Sequence, residues 1–299
     1  MKVESKLAKQ IDSGDFIVTA ECAPGATASG ATAEAALKAL GARPVAVNVA
    51  DNSHGVAISS IAASVAAMKA GIEPVLQMVT RDRNRIALQS DLLGAASLGI
   101  RNVLCMSGYH QTLIGCGESA NVFDIDSTQF IGVASTMSEK GVLVDGKNID
   151  GTFSMLVGAA ANPFLKPLEL NMLRLDKKVE AGAMFIQTHA VFDIQAFARW
   201  LESAHKEGIT GKTAILAGIY PLESAEEALK LRETYAEFCI PDEVIERMKK
   251  AGDGARKEGL ALCAETIRKL KGLDGLRGVH ILSGGREAIV PDLVAASGL

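Results

Sequence analysis

Glu21 closes the run Phe16-Ile17-Val18-Thr19-Ala20 just before the breaker pair Pro24-Gly25. A carboxylate after an apolar run has two readings. Desolvation can raise its pKa and make it a general acid, or it can cap a neighbouring turn or pair with an arginine. Gln187, Thr188 and His189 follow a second run, Met184-Phe185-Ile186. His189 is suited to bind a ligand or exchange a proton, and equally to sit in ordinary hydrogen bonds. Arg81-Asp82-Arg83-Asn84 follows a third run. Arginines at a helix start suit phosphate, but a capped helix with solvated charges is the simpler reading. Asn48, Asp51, Gln77, Thr80, Tyr109, His110 and Tyr220 stand at comparable positions. No Walker, G-x-S-x-G or H-E-x-x-H pattern is present.

The elements that must position these residues follow one rhythm. Short buried runs at 16–21, 45–49, 74–79, 102–106, 153–157, 184–186, 214–217 and 279–282 fit strands. Helical patterns alternate with them. Leu168, Met172, Leu175 and Val179 recur at helical spacing after Pro167, and Ile58, Ile61, Val65 and Met68 mark another face. A helix over 224–235 is expected as the seventh, and 241–270 as an additional helical stretch. Eight strand-then-helix units without a linker predict an α/β fold, a single (β/α)8 TIM barrel over 1–299, with that extra stretch before the last strand. A doubly wound sheet is weaker, since no G-x-G-x-x-G follows a strand. In such a barrel the polar strand ends gather on one face, where ligands bind.

Composition narrows the class. The chain has 299 residues, 48% of them hydrophobic and 4% aromatic, so the core must be built from Ala, Val, Leu and Ile. A net charge of −4 gives no reason to expect nucleic acid or an anionic membrane as partner. The start Met1-Lys2-Val3-Glu4 has no apolar signal-peptide region, and residues 56–70 are too interrupted by serines and Lys69 to span a membrane. The five cysteines are scattered, without metal-ligand spacing. No metal site, free or buried thiols and a cytoplasmic location are expected.

Several segments, in order, resemble the methylenetetrahydrofolate reductase family over nearly the whole chain. They are Thr19-Ala20-Glu21-Cys22-Ala23-Pro24, Thr80-Arg81-Asp82-Arg83-Asn84, Asn102-Val103-Leu104-Cys105-Met106-Ser107-Gly108 and Val122-Phe123-Asp124-Ile125-Asp126. Gly158-Ala159-Ala160-Ala161-Asn162-Pro163, Lys177-Lys178-Val179-Glu180-Ala181-Gly182-Ala183 with Gln187-Thr188-His189, and Ala217-Gly218-Ile219-Tyr220-Pro221-Leu222 complete the set. The resemblance implies a flavin-containing barrel in which Glu21 protonates the folate as its methylene bridge opens to an iminium. FAD would lie across the strand ends and carry hydride from a nicotinamide donor to the iminium carbon. The cofactor side would hold Asn48, Gln77, Ser107, Gly108, Asn171 and Lys178, with Lys178 near the phosphates and Ser107-Gly108 beneath the isoalloxazine. Tyr109, Gln187, Thr188 and His189 would face the folate.

Three positions depart from that pattern. Tyr109 stands where the family usually has an aspartate, His189 where it has a glutamine, and Asn171 where it often has an acidic residue. The reaction that the resemblance implies is flavin-dependent reduction of 5,10-methylenetetrahydrofolate to 5-methyltetrahydrofolate. The alternative is a flavin-independent methyltransferase between a corrinoid protein and tetrahydrofolate. A third reading is a non-catalytic subunit docking a redox or corrinoid partner. A homo-oligomer is expected in each case.

Overall fold

Runs of β-prone residues too short for helices become eight parallel strands. They are β1 (Ile17–Cys22), β2 (Ala46–Val49), β3 (Pro74–Val79), β4 (Asn102–Met106), β5 (Leu156–Ala161), β6 (Phe185–Ala190), β7 (Ala214–Ile219) and β8 (Leu276–Ile281). The computed structural model describes residues 3–235 and 237–299. The reading of Met1 and Lys2 lies outside them. The strands pair in sequence order, and β8 pairs in parallel with β1, so the sheet closes on itself. This is the (β/α)8 barrel that the alternation of runs predicts.

Helix α1 (Lys6–Ser13) precedes the barrel, capped by the Ser5 hydroxyl and ended by Gly14 in the left-handed region. The outer layer holds α2 (Gly30–Ala39), α3 (Ser60–Lys69), α4 (Arg85–Ser97), α5 (Ser127–Lys140), α6 (Leu168–Glu180) and α7 (Ile194–Lys206). Side-chain caps set several starts. Asn84 accepts from two amides of α4, Asp126 and Gln129 form a reciprocal capping box on α5, and Asp193 caps α7.

After β7 the order differs from the expected one. Helices α8 (Ala225–Thr234) and α9 (Asp242–Ala251) come first, then α10 (Ala255–Leu270). It is α10 that packs against β7, α7 and the final helix α11 (Ile289–Ser297), and so takes the seventh place in the outer ring. The helix expected to be seventh, α8, packs on α9 instead. The reason lies in their buried faces. Helix α10 offers a stripe with Cys263, Ala264, Ile267 and Leu270, whereas α8 buries only Ala225 and Ala228. The extra stretch before the last strand is present, but its helices exchange roles with the expected one.

Two expected boundaries also move. The fifth strand is Leu156–Ala161, not 153–157; Phe153 and Met155 are buried ahead of it. Gly-Ala-Ala-Ala is a poor strand sequence by itself, but pairing with β4 on one side and β6 on the other holds it extended. The sixth strand runs past 184–186 to Ala190, so Gln187, Thr188 and His189 are at its carboxyl end and inside it. The small β excursion over 142–145 reduces to one bridge between Val142 and Asn148.

Side chains alternate between the two faces of each strand. Val18, Ala20 and Cys22 of β1 join the main core under the outer helices. Ile17, Ala46, Val75, Leu104, Leu156, Phe185 and Leu216 form a separate cluster inside the barrel, with Leu7 and Ala8 of α1 packed on it from below. Gly158 belongs to this arrangement, because a Cβ there would run into the Phe185 ring. Phe185→Ala removes a fully buried ring at the centre of this cluster, and Gly158 on its one side has no side chain to move into the gap. It is expected to cost about 3–5 kcal/mol of stability, read as a lowered urea midpoint with an unchanged slope.

Candidate active site

The next residues up the same inward face are polar. Thr19 follows Ile17 by two positions, Asn48 follows Ala46, Gln77 follows Val75 and Gln187 follows Phe185. All four are buried, as is His280 on β8. Each finds partners across the barrel. Gln187 Nε2 donates to Asn48 Oδ1 at 3.0 Å and Asn48 Nδ2 donates back to Gln187 Oε1 at 2.6 Å. Gln187 Nε2 also reaches the Thr19 hydroxyl at 3.2 Å, and that hydroxyl lies 2.9 Å from His280 Nδ1. With no charged partner there, burial pushes the His280 imidazole down to about 3, so it is neutral.

Glu21 is the next inward residue of β1. It retains partial exposure at the rim, and Gln77 Nε2 donates to its Oε2 at 2.9 Å. Burial raises its carboxyl above the ordinary range; the Gln77 hydrogen bond and His54 oppose the rise, and Glu287 adds to it. A neutral amide is thus its nearest partner, where an arginine would keep it ionised. Glu287 also accepts from the Ala23 amide at 3.0 Å.

Across the mouth, His189 is the next inward residue of β6. Burial lowers its pKa, Glu237 opposes that shift and Lys178 reinforces it. Its Nδ1 lies 3.8 Å from Glu237 Oε1. The hydroxyl of Tyr109, just past β4, donates to the same carboxylate oxygen, and burial raises the Tyr109 pKa further above its usual value. The mouth therefore joins Glu21, Gln77, Tyr109, His189 and Glu237.

The remaining expected residues lie elsewhere. Thr188 is on the opposite face of β6 from Gln187 and His189; its hydroxyl donates to the His189 carbonyl at 2.9 Å and accepts from the Gly218 amide at 3.0 Å. The strand bulges here against β7, and Gly218 permits it, since a Cβ would strike the carbonyls of Thr188 and His189. Asn171 is buried, its amide donating to the carbonyls of Asn162 and Leu165 at 2.9 and 3.2 Å. Lys178 Nζ donates to the Ala160 carbonyl at 2.6 Å. Ser107 accepts through its carbonyl from the Arg81 amide. Gly108 has φ +83°, and its Cβ would come within 3.0 Å of Val79. The Arg81-Asp82-Arg83-Asn84 segment ties loops together. Arg81 is 1% exposed and holds Asp82 and the carbonyls of Tyr109 and Asn52, while Arg83 bridges Asp51 and Asp91.

Thr19 and His280 had a signal in the sequence, since each breaks a buried run at the inward period. Glu237 had none: it lies between α8 and α9, outside any helix or strand. Among the described residues no group of three or more His, Cys, Asp or Glu side chains could hold a metal. Nor, among them, is any helix long and apolar enough to cross a membrane.

The family model for methylenetetrahydrofolate reductase matches residues 6–115 and 148–298. The chain belongs to the methylenetetrahydrofolate reductase family. A probable methylenetetrahydrofolate reductase (NADPH) of Caenorhabditis elegans is 24% identical over 81% of this chain and 34% of its own length. Methylenetetrahydrofolate reductase 1 of Schizosaccharomyces pombe is 26% identical over 44% of this chain and 22% of its own. The matches thus span about a third or less of these relatives. A Clostridium thermocellum protein, described as binding two copies of 5-methyl-5,6,7,8-tetrahydrofolic acid, superposes with a TM-score of 0.67 at 12% identity, covering 98% of both chains. That likeness is one of fold.

Methylenetetrahydrofolate reductases usually carry FAD. The polar side chains that the family pattern gives to the flavin are engaged within this protein: Asn48 with Gln187, Gln77 with Glu21, Asn171 with two carbonyls, Lys178 with a third. These bonds leave capacity over: Lys178 Nζ keeps two of its three donors, and each amide a further donor or acceptor, so the set is compatible with a flavin.

The two unusual protonation states act on stability in opposite directions. Glu21, raised when folded, stabilises fully below its ordinary 4.5, and that contribution is lost as pH rises through the folded pKa. Buried neutral His280 stabilises above its ordinary 6.5, and that contribution is lost as pH falls towards about 3. Glu21→Gln is therefore expected to melt above the parent at pH 8 and close to it at pH 4, by thermal unfolding followed with circular dichroism.

Proposed function

We propose that this barrel acts on the one-carbon unit of a tetrahydrofolate, reducing 5,10-methylenetetrahydrofolate to 5-methyltetrahydrofolate, with Glu21 as general acid. The observation that carries the reading is Glu21 itself: a carboxyl at the mouth, hydrogen-bonded to a neutral amide, whose pKa burial raises above its ordinary value. Opening the methylene bridge breaks the bond between that carbon and N10. N10 takes the Glu21 proton, and the carbon, left as an iminium on N5, accepts a hydride. Family membership supports the ligand class, and a barrel of the same fold with bound methyltetrahydrofolate gives a precedent.

Gln77 orients the acid and the Asn48–Gln187 pair fixes the floor beneath it. FAD is the hydride carrier that the family would supply. Tyr109 and His189, in place of the family's aspartate and glutamine, motivate a second reading, in which no flavin is held and a methyl group passes between a corrinoid protein and tetrahydrofolate.

Two measurements test these readings. Purified protein that is yellow, and bleaches with a reductant, supports the reductase. Colourless protein that takes up no added flavin but transfers methyl groups from a methylated corrinoid supports the second. Under the reductase reading, Glu21→Gln is expected to lower kcat on methylenetetrahydrofolate by roughly 100- to 10,000-fold. Its affinity for 5-methyltetrahydrofolate should stay within about threefold of the parent, since the acid serves bridge opening more than binding. An unchanged kcat would remove Glu21 from the mechanism.

A further inference from the structure

Between α8 and α9, Glu237 and Phe238 lie at the barrel mouth, and the chemistry given to Glu21 makes no use of them. Glu237 is 9% exposed. Its Oε1 accepts the Tyr109 hydroxyl hydrogen and faces His189 Nδ1 at 3.8 Å, too far for a hydrogen bond. The residues around it are aromatic. The Tyr235 ring lies 5.2 Å from that of Tyr109, and Phe238 meets Tyr220 edge-on at 5.4 Å.

A largely buried carboxylate is costly unless donors satisfy it. Both contacts described use Oε1, and a carboxylate oxygen can accept two hydrogen bonds, so Glu237 retains capacity on both oxygens. Two parallel N–H donors about one ring edge apart would use that capacity, and a flat ring carrying them would find aromatic side chains beside it. A ring N–H next to an exocyclic amine has this form.

We propose that Glu237, with Tyr109 and Tyr235, forms the subsite for the 2-amino-4-oxo ring of a folate, its carboxylate receiving the ring N–H and the 2-amino group. The assignment rests on the folate reading above. It means that the negative charge is not carried on the loop after β4, where Tyr109 stands. It arrives from the α8–α9 connection and is fixed in place through the Tyr109 hydroxyl. Glu237 is thus a specificity residue, and Tyr109 positions it.

Isothermal titration calorimetry with 5-methyltetrahydrofolate and with the same folate lacking its 2-amino group tests this. The wild-type protein is expected to bind the second ligand roughly 10- to 100-fold more weakly. Glu237→Gln should lose a similar factor for the first ligand and bind the second about as weakly as the wild type does. Tyr109→Phe, which keeps the ring and frees the carboxylate, should show a smaller loss in the same direction. If the wild type binds both ligands equally, or Glu237→Gln binds the first undiminished, the subsite is overturned while the folate reading stands. If the wild type binds neither, the folate reading falls and the subsite with it. Equal binding of the two ligands by the wild type overturns the subsite even if a variant does not fold.

Discussion

A closed ring of eight strands has one interior, and every second residue of every strand must be accommodated in it. That constraint organises this molecule. The lower interior is filled by Ile17, Ala46, Val75, Leu104, Leu156 and Phe185, with α1 packed beneath. Above them the same faces carry Thr19, Asn48, Gln77, Gln187 and His280, all buried. Polar groups cut off from water must bond to one another. They do so as amide to amide, amide to hydroxyl and hydroxyl to imidazole. The apolar layer is therefore the floor on which the polar layer keeps its geometry.

The polar layer is neutral, and this matters for Glu21. A cation beneath the carboxyl would favour the ionised form and leave it a poor acid. Gln77 gives it direction without supplying a charge, so desolvation remains the dominant influence. The buried cations nearby are bound to other groups: Arg81 holds Asp82 and two loop carbonyls, and Arg83 holds Asp51 and Asp91. The loops are clamped by charge while the interior is kept free of it.

Much of the barrel was legible in the sequence, because short buried runs bounded by glycine and proline carry their own signal. The parts that were not legible depend on partners distant in sequence. β5 is extended because β4 and β6 hold it, and Phe185 makes Gly158 necessary. α10 displaces α8 from the outer ring because its apolar stripe is the wider one, a comparison that local periodicity does not make. Glu21, Gln77 and His189 were visible as strand-end polar residues, but the pairing of Asn48 with Gln187 was not. It depends on two strands that are neighbours only across the ring. Glu237 belongs to a loop whose composition says nothing about where it will lie.

The bulge in β6 divides that strand into two parts with different obligations. Up to Gln187 the residues keep register with their neighbours and complete the interior. Beyond it, the Thr188 hydroxyl binds the Gly218 amide, and Gly218 leaves space for the displaced carbonyls. Position 189 thereby lies outside the regular pairing with β7. A histidine can replace another residue there without disturbing the sheet, and so can whatever a new substrate might require. The irregularity is where a closed ring leaves one inward position free to differ.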